Sequence, residues 1–385
     1  MWTCLPNARL VGGIVRDLLS HQPVTDIDMA TPDPPERIME LLKKNQIKTI
    51  PTGLSHGTLT ALIGQNSFEI TTLRKDISTD GRHAVVQWTS DWQEDAARRD
   101  FTINAMFCDR KGKIWDYFNG RQDLKEGSVK FVGNAAQRIK EDALRILRFF
   151  RFYARFGHGK PNEEAIEAIS ALAGLLTGLS AERRWSEWQK IIIGPQANKI
   201  ISLMDETGVL PVLLPFRYNV ARFDKFVRLG APQDPILRLA ALLEDKDIKV
   251  ASHFKFSTRQ RKQLKGLFKP IILPTDADAN DFARLKAQYS SKELLDQSWL
   301  NQLEDFVLNG ERWDHWRSTL NSSDKCVFPL KGRDLVERGI EPGPQVGKLL
   351  NSIYQWWLKG GCKADKEQCL YWFKKNWFDK NLRGK

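Results

Sequence analysis

Arg9-Leu10-Val11-Gly12-Gly13-Ile14-Val15-Arg16-Asp17, followed nine residues later by Asp26-Ile27-Asp28, is the stretch from which the rest of the chain is read. Arg9 to Val11 has the make-up of a short strand, Gly12-Gly13 of a turn without Cβ atoms, and Ile14 to Leu19 of a helix start. Such a junction aims free backbone N–H groups and the positive helix end at whatever sits above the glycines. Arg16 adds a fork for phosphate, so Gly12, Gly13 and Arg16 suit a triphosphate. On a strand, residues i and i+2 share a face, so Asp26 and Asp28 converge while Ile27 points into the core. Two like charges so close repel unless a cation lies between them. Mg²⁺, content with one or two carboxylates plus phosphate oxygens and water, is the expected cofactor, with Asp26 and Asp28 as its ligands. Glu69, on Phe68-Glu69-Ile70-Thr71, can bring a third carboxylate from an adjacent hairpin, which makes Asp26, Asp28 and Glu69 the candidate catalytic set. Taken singly, a Gly-Gly turn or an Asp-x-Asp is commonplace; within twenty residues of each other they define a site.

The chain has 385 residues, with 59 Lys plus Arg against 47 Asp plus Glu, a net charge of +12. That length predicts two or more domains. Hydrophobic residues at 42% and charged residues at 28% exclude a disordered chain or a fibre. No apolar run approaches the ~18 residues of a bilayer span, so no membrane partner is expected. The opening Met1-Trp2-Thr3-Cys4-Leu5-Pro6-Asn7 lacks the basic start and apolar core of a secretory signal, and a cytoplasmic address is expected. Five scattered cysteines without a CxxC pair, and six histidines without HxH or HExxH, read as reduced thiols and no zinc site. The basic surplus points to a polyanion, nucleic acid before membrane.

The expected fold class is α+β. His56 to Ile63 and Phe68 to Leu73 are β-rich runs around Gly64-Gln65-Asn66-Ser67. Ala105 to Cys108 and Lys113 to Phe118 similarly flank Arg110-Lys111-Gly112, so an antiparallel meander is implied. After Gly133 the pattern becomes helical: Asn134 to Phe156, Glu163 to Leu172, Glu182 to Ile193, and shorter helices beyond. Ala251 to Pro270 carries Lys255, Arg259, Arg261, Lys262, Lys265 and Lys269 without an acid, with Phe254, Phe256 and Phe268 interleaved. This suits a groove following an RNA backbone, or a solvated helix face with core aromatics. Tyr371 to Lys385 is similarly basic, with Lys374, Lys375, Lys380, Arg383 and Lys385.

Arg98-Arg99-Asp100-Phe101-Thr102-Ile103-Asn104-Ala105 offers Arg99 for phosphate and Asp100 for a ribose hydroxyl, an orienting arginine or a structural ion pair. In Glu141-Asp142-Ala143-Leu144-Arg145-Ile146-Leu147-Arg148-Phe149-Phe150-Arg151-Phe152 the polar residues Asp142, Arg145, Arg148 and Arg151 recur every third position on a helix otherwise packed with Leu, Ile and Phe. Arginines in such company need acceptors or anions. A carboxylate only accepts hydrogen bonds and a guanidinium only donates them. Cytosine and adenine each offer an amino donor beside a ring-nitrogen acceptor, whereas uracil and guanine present the reverse. The pair Asp142 and Arg145 can therefore accept C and A and reject U and G without a nucleic-acid template.

Together these residues resemble the class II tRNA nucleotidyltransferase and poly(A) polymerase family, within the polymerase-β-like nucleotidyltransferases. The resemblance runs through Val11 to Asp17, Asp26-Ile27-Asp28, His56-Gly57-Thr58, Glu69 to Arg74, Arg98 to Ala105 and Glu141 to Arg145, in the family's order. It implies a catalytic head (1–130), a base-recognising helical neck (131–193) and RNA-binding helical body (194–320) and tail (321–385). His56-Gly57-Thr58, Asp80-Gly81-Arg82-His83-Ala84 and an uninterrupted loop from Lys75 to Trp88 resemble the CCA-adding branch. Leu330 to Leu335 and Pro342 to Gly347 resemble a bacterial tail motif. In the neck, Ser180 to Trp188 keeps Glu182, Arg183 and Glu187 but has Arg184 and Trp188 where aliphatics are usual, so neck packing should differ. The implied activity is addition of CCA to the tRNA acceptor end from CTP and ATP by two-metal catalysis, with Gly13, Arg16, Arg99, Asp142, Arg145, Arg148 and Arg151 around the nucleotide. Poly(A) polymerase, partial CC or A addition, and a non-catalytic RNA-binding nucleotide sensor are the alternatives.

Overall fold

The computed structural model describes residues 1–24, 26–54, 57–79, 84–305 and 310–378. His56, the motif residues 80–83, and Lys380, Arg383 and Lys385 of the basic terminus lie outside the described residues. The chain opens β1 (Arg9–Val11), α1 (Gly13–Leu19), β2 (Ile27–Thr31), α2 (Pro35–Lys44), β3 (Lys48–Gly53), β4 (Thr58–Ile63) and β5 (Asn66–Thr72). It continues with β6 (Arg74–Thr79), β7 (Ala84–Trp88), α3 (Trp92–Ala97), β8 (Met106–Cys108), β9 (Ile114–Asp116) and α4 (Gly120–Glu126). Among the described residues all regular structure after α4 is helical, beginning with α5 (Ala135–Glu141), α6 (Leu144–Phe156), α7 (Glu163–Leu172) and α8 (Ala181–Ile192). None of the described helices is long and apolar enough to cross a membrane.

Seven strands form one sheet in the order β3-β4-β5-β2-β1-β8-β9. Both expected hairpins are present, β4 with β5 across Gly64-Gln65 and β8 with β9, but they do not join into a meander, because β5 lies parallel to β2. The cause is α2. Its Ile38 and Leu42 pack with Met29, Leu59, Ala61 and Ile70, so the chain leaves β2, crosses one face, and fills the sheet inward from β3. The stretch Lys75 to Trp88, expected as a loop, is a separate β-hairpin paired from Arg74↔Trp88 to Thr79↔Ala84, as its β-branched content favours. Period 2 holds in β2: Met29 joins the α2 layer, and Ala30, on the Asp28 side of the pleat, joins Val11, Leu73, Ala96 and Phe107.

The helix expected over Asn134 to Phe156 is two helices. Asp142 is extended (φ −154°, ψ 104°), ends α5, and accepts the Leu144 N–H at 3.0 Å. The carboxylate thus competes with the backbone carbonyls and restarts the helix, as short acidic side chains do. Behind the break, Phe101, Phe131, Phe149 and Phe152 form a ring cluster, with Phe101–Phe131 centroids 4.9 Å apart and Phe101–Phe152 5.4 Å. The main chain ties the same place, Thr102 N–H to Lys130 O at 3.0 Å and Val132 N–H to Asp100 O at 3.1 Å.

The chain divides into two compact units. The first holds Met1–Val220 with Gln233–Pro235 and Lys249–Lys255, so the regions expected as head and neck share it. The second, all-helical among its described residues, has one core around Trp313 and Trp316 and another around Trp357, Leu358 and Phe373. In the neck, Trp188 is fully buried on α8 with no acceptor for its indole N–H, and Arg184 lies 3.3 Å from His253 Nε2. A large ring therefore takes the volume expected of an aliphatic, at the expense of one unpaired donor. Trp188→Ala is expected to cost about 3–5 kcal/mol, and Trp188→Phe less than about 1.5 kcal/mol because it removes the orphan N–H. Denaturant unfolding of the two variants checks this, and similar losses for both would contradict it.

Candidate active site

The β1–α1 turn is built for close approach. Gly12 has φ +69°, and a Cβ there would lie 3.2 Å from Arg99 Nη1 and 3.4 Å from Asn104 O. One turn into α1, Arg16 is buried at 6% exposure. It donates from Nη1 to Asn104 Oδ1 at 2.5 Å and from Nε and Nη2 to Asp17 Oδ1 at 3.0 and 2.9 Å. Its guanidinium carbon sits 4.4 Å from the Phe156 ring centre and 5.0 Å from that of Phe152. Burial holds Arg16 below its ordinary pKa despite Asp17, and the charges of Arg155 and Arg151 act the same way as burial.

Asn104 continues the chain of contacts, donating from Nδ2 to Asp100 Oδ1 at 3.1 Å, while Asp100 Oδ2 accepts from Arg148 Nε at 2.7 Å. Burial pushes the Asp100 carboxyl up, but the Arg148 charge and the bonds from Asn104, Arg148 and the Phe101 N–H outweigh it and hold it below the usual range. Of the roles open to Asp100, the structure provides the arginine partner. Nearby, Asp95 accepts from Arg98 Nε at 2.9 Å and from Arg99 Nη2 at 2.8 Å, which fixes Arg99 beside Gly12.

The β2–β5 register sets Asp28 opposite Glu69, and Asp26 stands one residue before β2. The Asp28 carboxyl is pushed up to about 6, first by burial, then by Glu69 and Asp26, against the opposing charge of Arg99. The three expected carboxylates are therefore brought into mutual repulsion. Among the described residues no three His, Cys, Asp or Glu side chains close into a metal cage. The donor set fits a hard divalent cation that takes its remaining oxygens from substrate and water.

On the neck side, the Arg145 N–H donates to Asp142 O at 3.0 Å, but the two side chains take different partners. Asp142 accepts from Arg183 Nη2 at 3.0 and 2.8 Å. Arg145 donates to Glu141 at 2.8 Å and to the carbonyls of Arg138 at 2.9 Å and Arg98 at 3.1 Å. Arg151 Nε lies 2.7 Å from Glu187. Of the expected ridge, the three arginines lie on α6 and Asp142 lies at the break before it. Sequence reasoning missed Asp95, Asn104, Arg183 and Glu187 as members of this network. Asn104 stood inside a quoted motif and Arg183 and Glu187 among the retained neck residues, which was the available signal.

The six basic residues offered for RNA do not share one unit. Lys255 belongs to the first and pairs with Glu182 at 2.8 Å. Arg259, Arg261, Lys262, Lys265 and Lys269 are exposed on or just after the helix Thr258–Phe268 of the second. Phe254 and Phe256 are buried, at 1% and 7% exposure, so the interleaved aromatics are core residues rather than a stacking surface. Both lie in the connection between the helices Lys249–His253 and Thr258–Phe268, ahead of the exposed basic helix.

Comparison with known proteins agrees with this geometry. Residues 8–130 match the family described as the poly A polymerase head domain, and 160–218 match one described as the probable RNA and SrmB-binding site of polymerase A. The mitochondrial CCA tRNA nucleotidyltransferase 1 of Homo sapiens is 37% identical over 95% of this chain and 86% of its own length. This chain belongs to the CCA-adding tRNA nucleotidyltransferase family. A CCA-adding enzyme of Streptococcus pneumoniae is 32% identical over 90% of this chain and 88% of its own. The crystal structure of the Bacillus stearothermophilus CCA-adding enzyme in complex with CTP superposes with a TM-score of 0.78 at 28% identity, covering 98% of this chain and 94% of that one. The chain is thus a nucleotidyltransferase with an α+β fold, of a metal-dependent family.

Two outcomes follow from the electrostatics. Asp28→Asn is expected to lower nucleotide incorporation by about 10³-fold or more, yet to raise the melting temperature in EDTA at pH 8, where wild-type Asp28 is ionised among like charges. A lower melting temperature would mean that Asp28 is held by attraction. For Asp100 the sign is opposite. Its depressed pKa gives stability that is present above the ordinary carboxylate range and lost as pH falls below that range toward the lowered folded-state value. Asp100→Asn should cost about 3 kcal/mol at pH 7 and flatten the acid limb of the stability curve, as urea titrations from pH 7 to pH 3 would record.

Proposed function

We propose that this protein adds C, C and A to the 3′ end of tRNA, transferring CMP and AMP from CTP and ATP with release of pyrophosphate. The observation that carries the reading is the meeting, within one compact unit, of the Asp26, Asp28 and Glu69 carboxylates with a Cβ-free turn, Arg99 and the arginine-bearing α6. We assign the reaction to a reducing compartment, the cytoplasm, in keeping with five free cysteines.

Asp26 and Asp28 would hold Mg²⁺, which supplies positive charge to the reacting phosphate and lowers the pKa of the attacking RNA 3′-hydroxyl. Gly12 and Gly13 let the triphosphate come close to the main chain. Arg99, held by Asp95, and the buried charge of Arg16 beneath the turn favour an anion there. Asp142 accepts the amino group of C or A, and Arg145 donates to the adjacent ring nitrogen. Each is anchored separately, Asp142 by Arg183 and Arg145 by Glu141 and two carbonyls, so neither depends on a template strand for its direction. Arg148 and Arg151 complete the nucleotide pocket from α6.

The test offers tRNA lacking its 3′ trinucleotide, and separately an unstructured oligoribonucleotide, with CTP and ATP together, and sequences the product ends. We expect C, C and A on tRNA and then arrest. Asp142→Ala with Arg145→Ala should bring UTP and GTP within about tenfold of CTP and ATP, from a starting discrimination on the order of 10⁴. Long adenosine tracts on both substrates would make the protein a poly(A) polymerase, and products ending at CC or gaining only A would limit it to partial addition.

A further inference from the structure

At the end of α1 remote from the Gly12-Gly13 turn, in the same compact unit, is a cavity of about 1000 Å³. His21, Arg121, Lys125, Arg155 and His158 line it, and Asp116 is the only acid among its lining residues. The Asp116 carboxylate is engaged by the main chain rather than by any of these cations. Its oxygens accept the main-chain N–H groups of Phe118 at 3.3 Å, Gly120 at 2.9 Å and Arg121 at 2.9 Å. Among the described residues, none of the five basic side chains has a carboxylate or carbonyl partner.

The contrast along α6 makes the point sharper. Arg145 has Glu141, Arg148 has Asp100 and Arg151 has Glu187, whereas Arg155, one turn further on, rests only on the Phe156 ring at 5.2 Å. The walls are also specifically shaped. His21 adopts φ +52°, a conformation rare outside glycine. His158 packs so tightly on Gly127 that a Cβ there would fall 2.4 Å from its Cδ2, while its N–H bonds Gly127 O at 2.9 Å. Both imidazoles are thus set in place at the rim.

Two guanidiniums and an ammonium around one concavity raise a positive potential that only an anion of several charges can satisfy. The cavity is far larger than one phosphate needs. Its one phenyl ring, Phe156, is buried at 6% exposure, so apart from the two rim imidazoles it presents no aromatic face to a base. Cations without a base-reading surface are the pattern of backbone contact, which positions nucleic acid without reading it.

We propose that this cavity is an anchoring site for the phosphate backbone of the RNA substrate, about 10 Å, the length of α1, from the catalytic turn. The proposal rests on the reading of tRNA as substrate. Arg121, Lys125 and Arg155 are all exposed, so replacing the three by alanine leaves the core untouched, which an unchanged melting temperature verifies. Filter binding of tRNA across a salt series should show a Kd raised tenfold or more at 100 mM salt. The slope of log K against log salt should become shallower by about 2–3, each lost phosphate contact removing 0.7–0.9. Binding of CTP alone, which uses the carboxylate site, should stay at the wild-type Kd. A wild-type tRNA Kd and salt slope in the triple variant would overturn the proposal. So would a parallel loss of CTP affinity, which would make the cavity a free-nucleotide site. A wild-type protein that binds tRNA but incorporates nothing would defeat the proposed activity while leaving the anchor standing.

Discussion

The buried sequence Arg16–Asn104–Asp100–Arg148 is the constraint on which the catalytic unit depends. It joins the Gly12-Gly13 turn of β1–α1 to the helix α6 through two hydrogen bonds and one ion pair, with Arg16, Asn104 and Asp100 all below 10% exposure. Burying two guanidiniums is costly unless acceptors meet them, and removing any member strands the rest. The network therefore contributes less to net stability than to a single allowed placement of α6 against the sheet. Phe101, beside Asp100, fills the same junction with aromatic packing, so polar registry and apolar volume specify one arrangement.

The opposite balance holds at Asp28. There the sheet register brings carboxylates together and only Arg99 opposes them, so the fold carries a repulsion that it does not neutralise internally. Strand pairing sustains it: five consecutive residues of β2 pair with β5, and the core behind Met29 and Ile70 fixes that register, since a slip by one would turn the charges inward. The Arg16–Arg148 network thus pairs its charges, whereas the carboxylates about Asp28 are left in repulsion.

What could be read from the sequence followed from local chemistry. Both hairpins and the helices from Glu163 to Leu172 and near Glu182 to Ile193 depend on neighbours in sequence, and they are present in the structure, while Asp28 lies on β2 with Asp26 one residue before it. The parallel entry of β5 depends on where α2 carries the chain, and no residue near β5 encodes that path. The break at Asp142 was locally encoded but hidden, because a continuous apolar periodicity masked a carboxylate able to cap its own helix. Arg183 as the partner of Asp142, 41 positions away, is a tertiary fact. Phe254 and Phe256 could not be placed for a related reason: aromatics interleaved with basic residues read the same whether they line a nucleic-acid groove or turn into the core from an interhelical connection, and only burial separates the two.

This division bears on how a protein can choose a base without a template. Discrimination by hydrogen bonds requires that the reading groups cannot turn to satisfy the wrong partner. A mutual Asp142–Arg145 pair would have saturated each group with the other and left little to offer a base. The structure avoids this by giving each a different anchor on a different element, Arg183 on α8 for the carboxylate and Glu141 with the Arg98 carbonyl for the guanidinium. Three bonds at the Asp142 carboxylate and three at the Arg145 guanidinium leave each group with unused acceptor or donor capacity. The helix break is what permits this, since in one continuous helix Asp142 and Arg145 would sit a single turn apart and pair. In the proposed base reading, the extended backbone at Asp142, where the carboxylate accepts the Leu144 N–H at 3.0 Å, keeps the two reading groups apart.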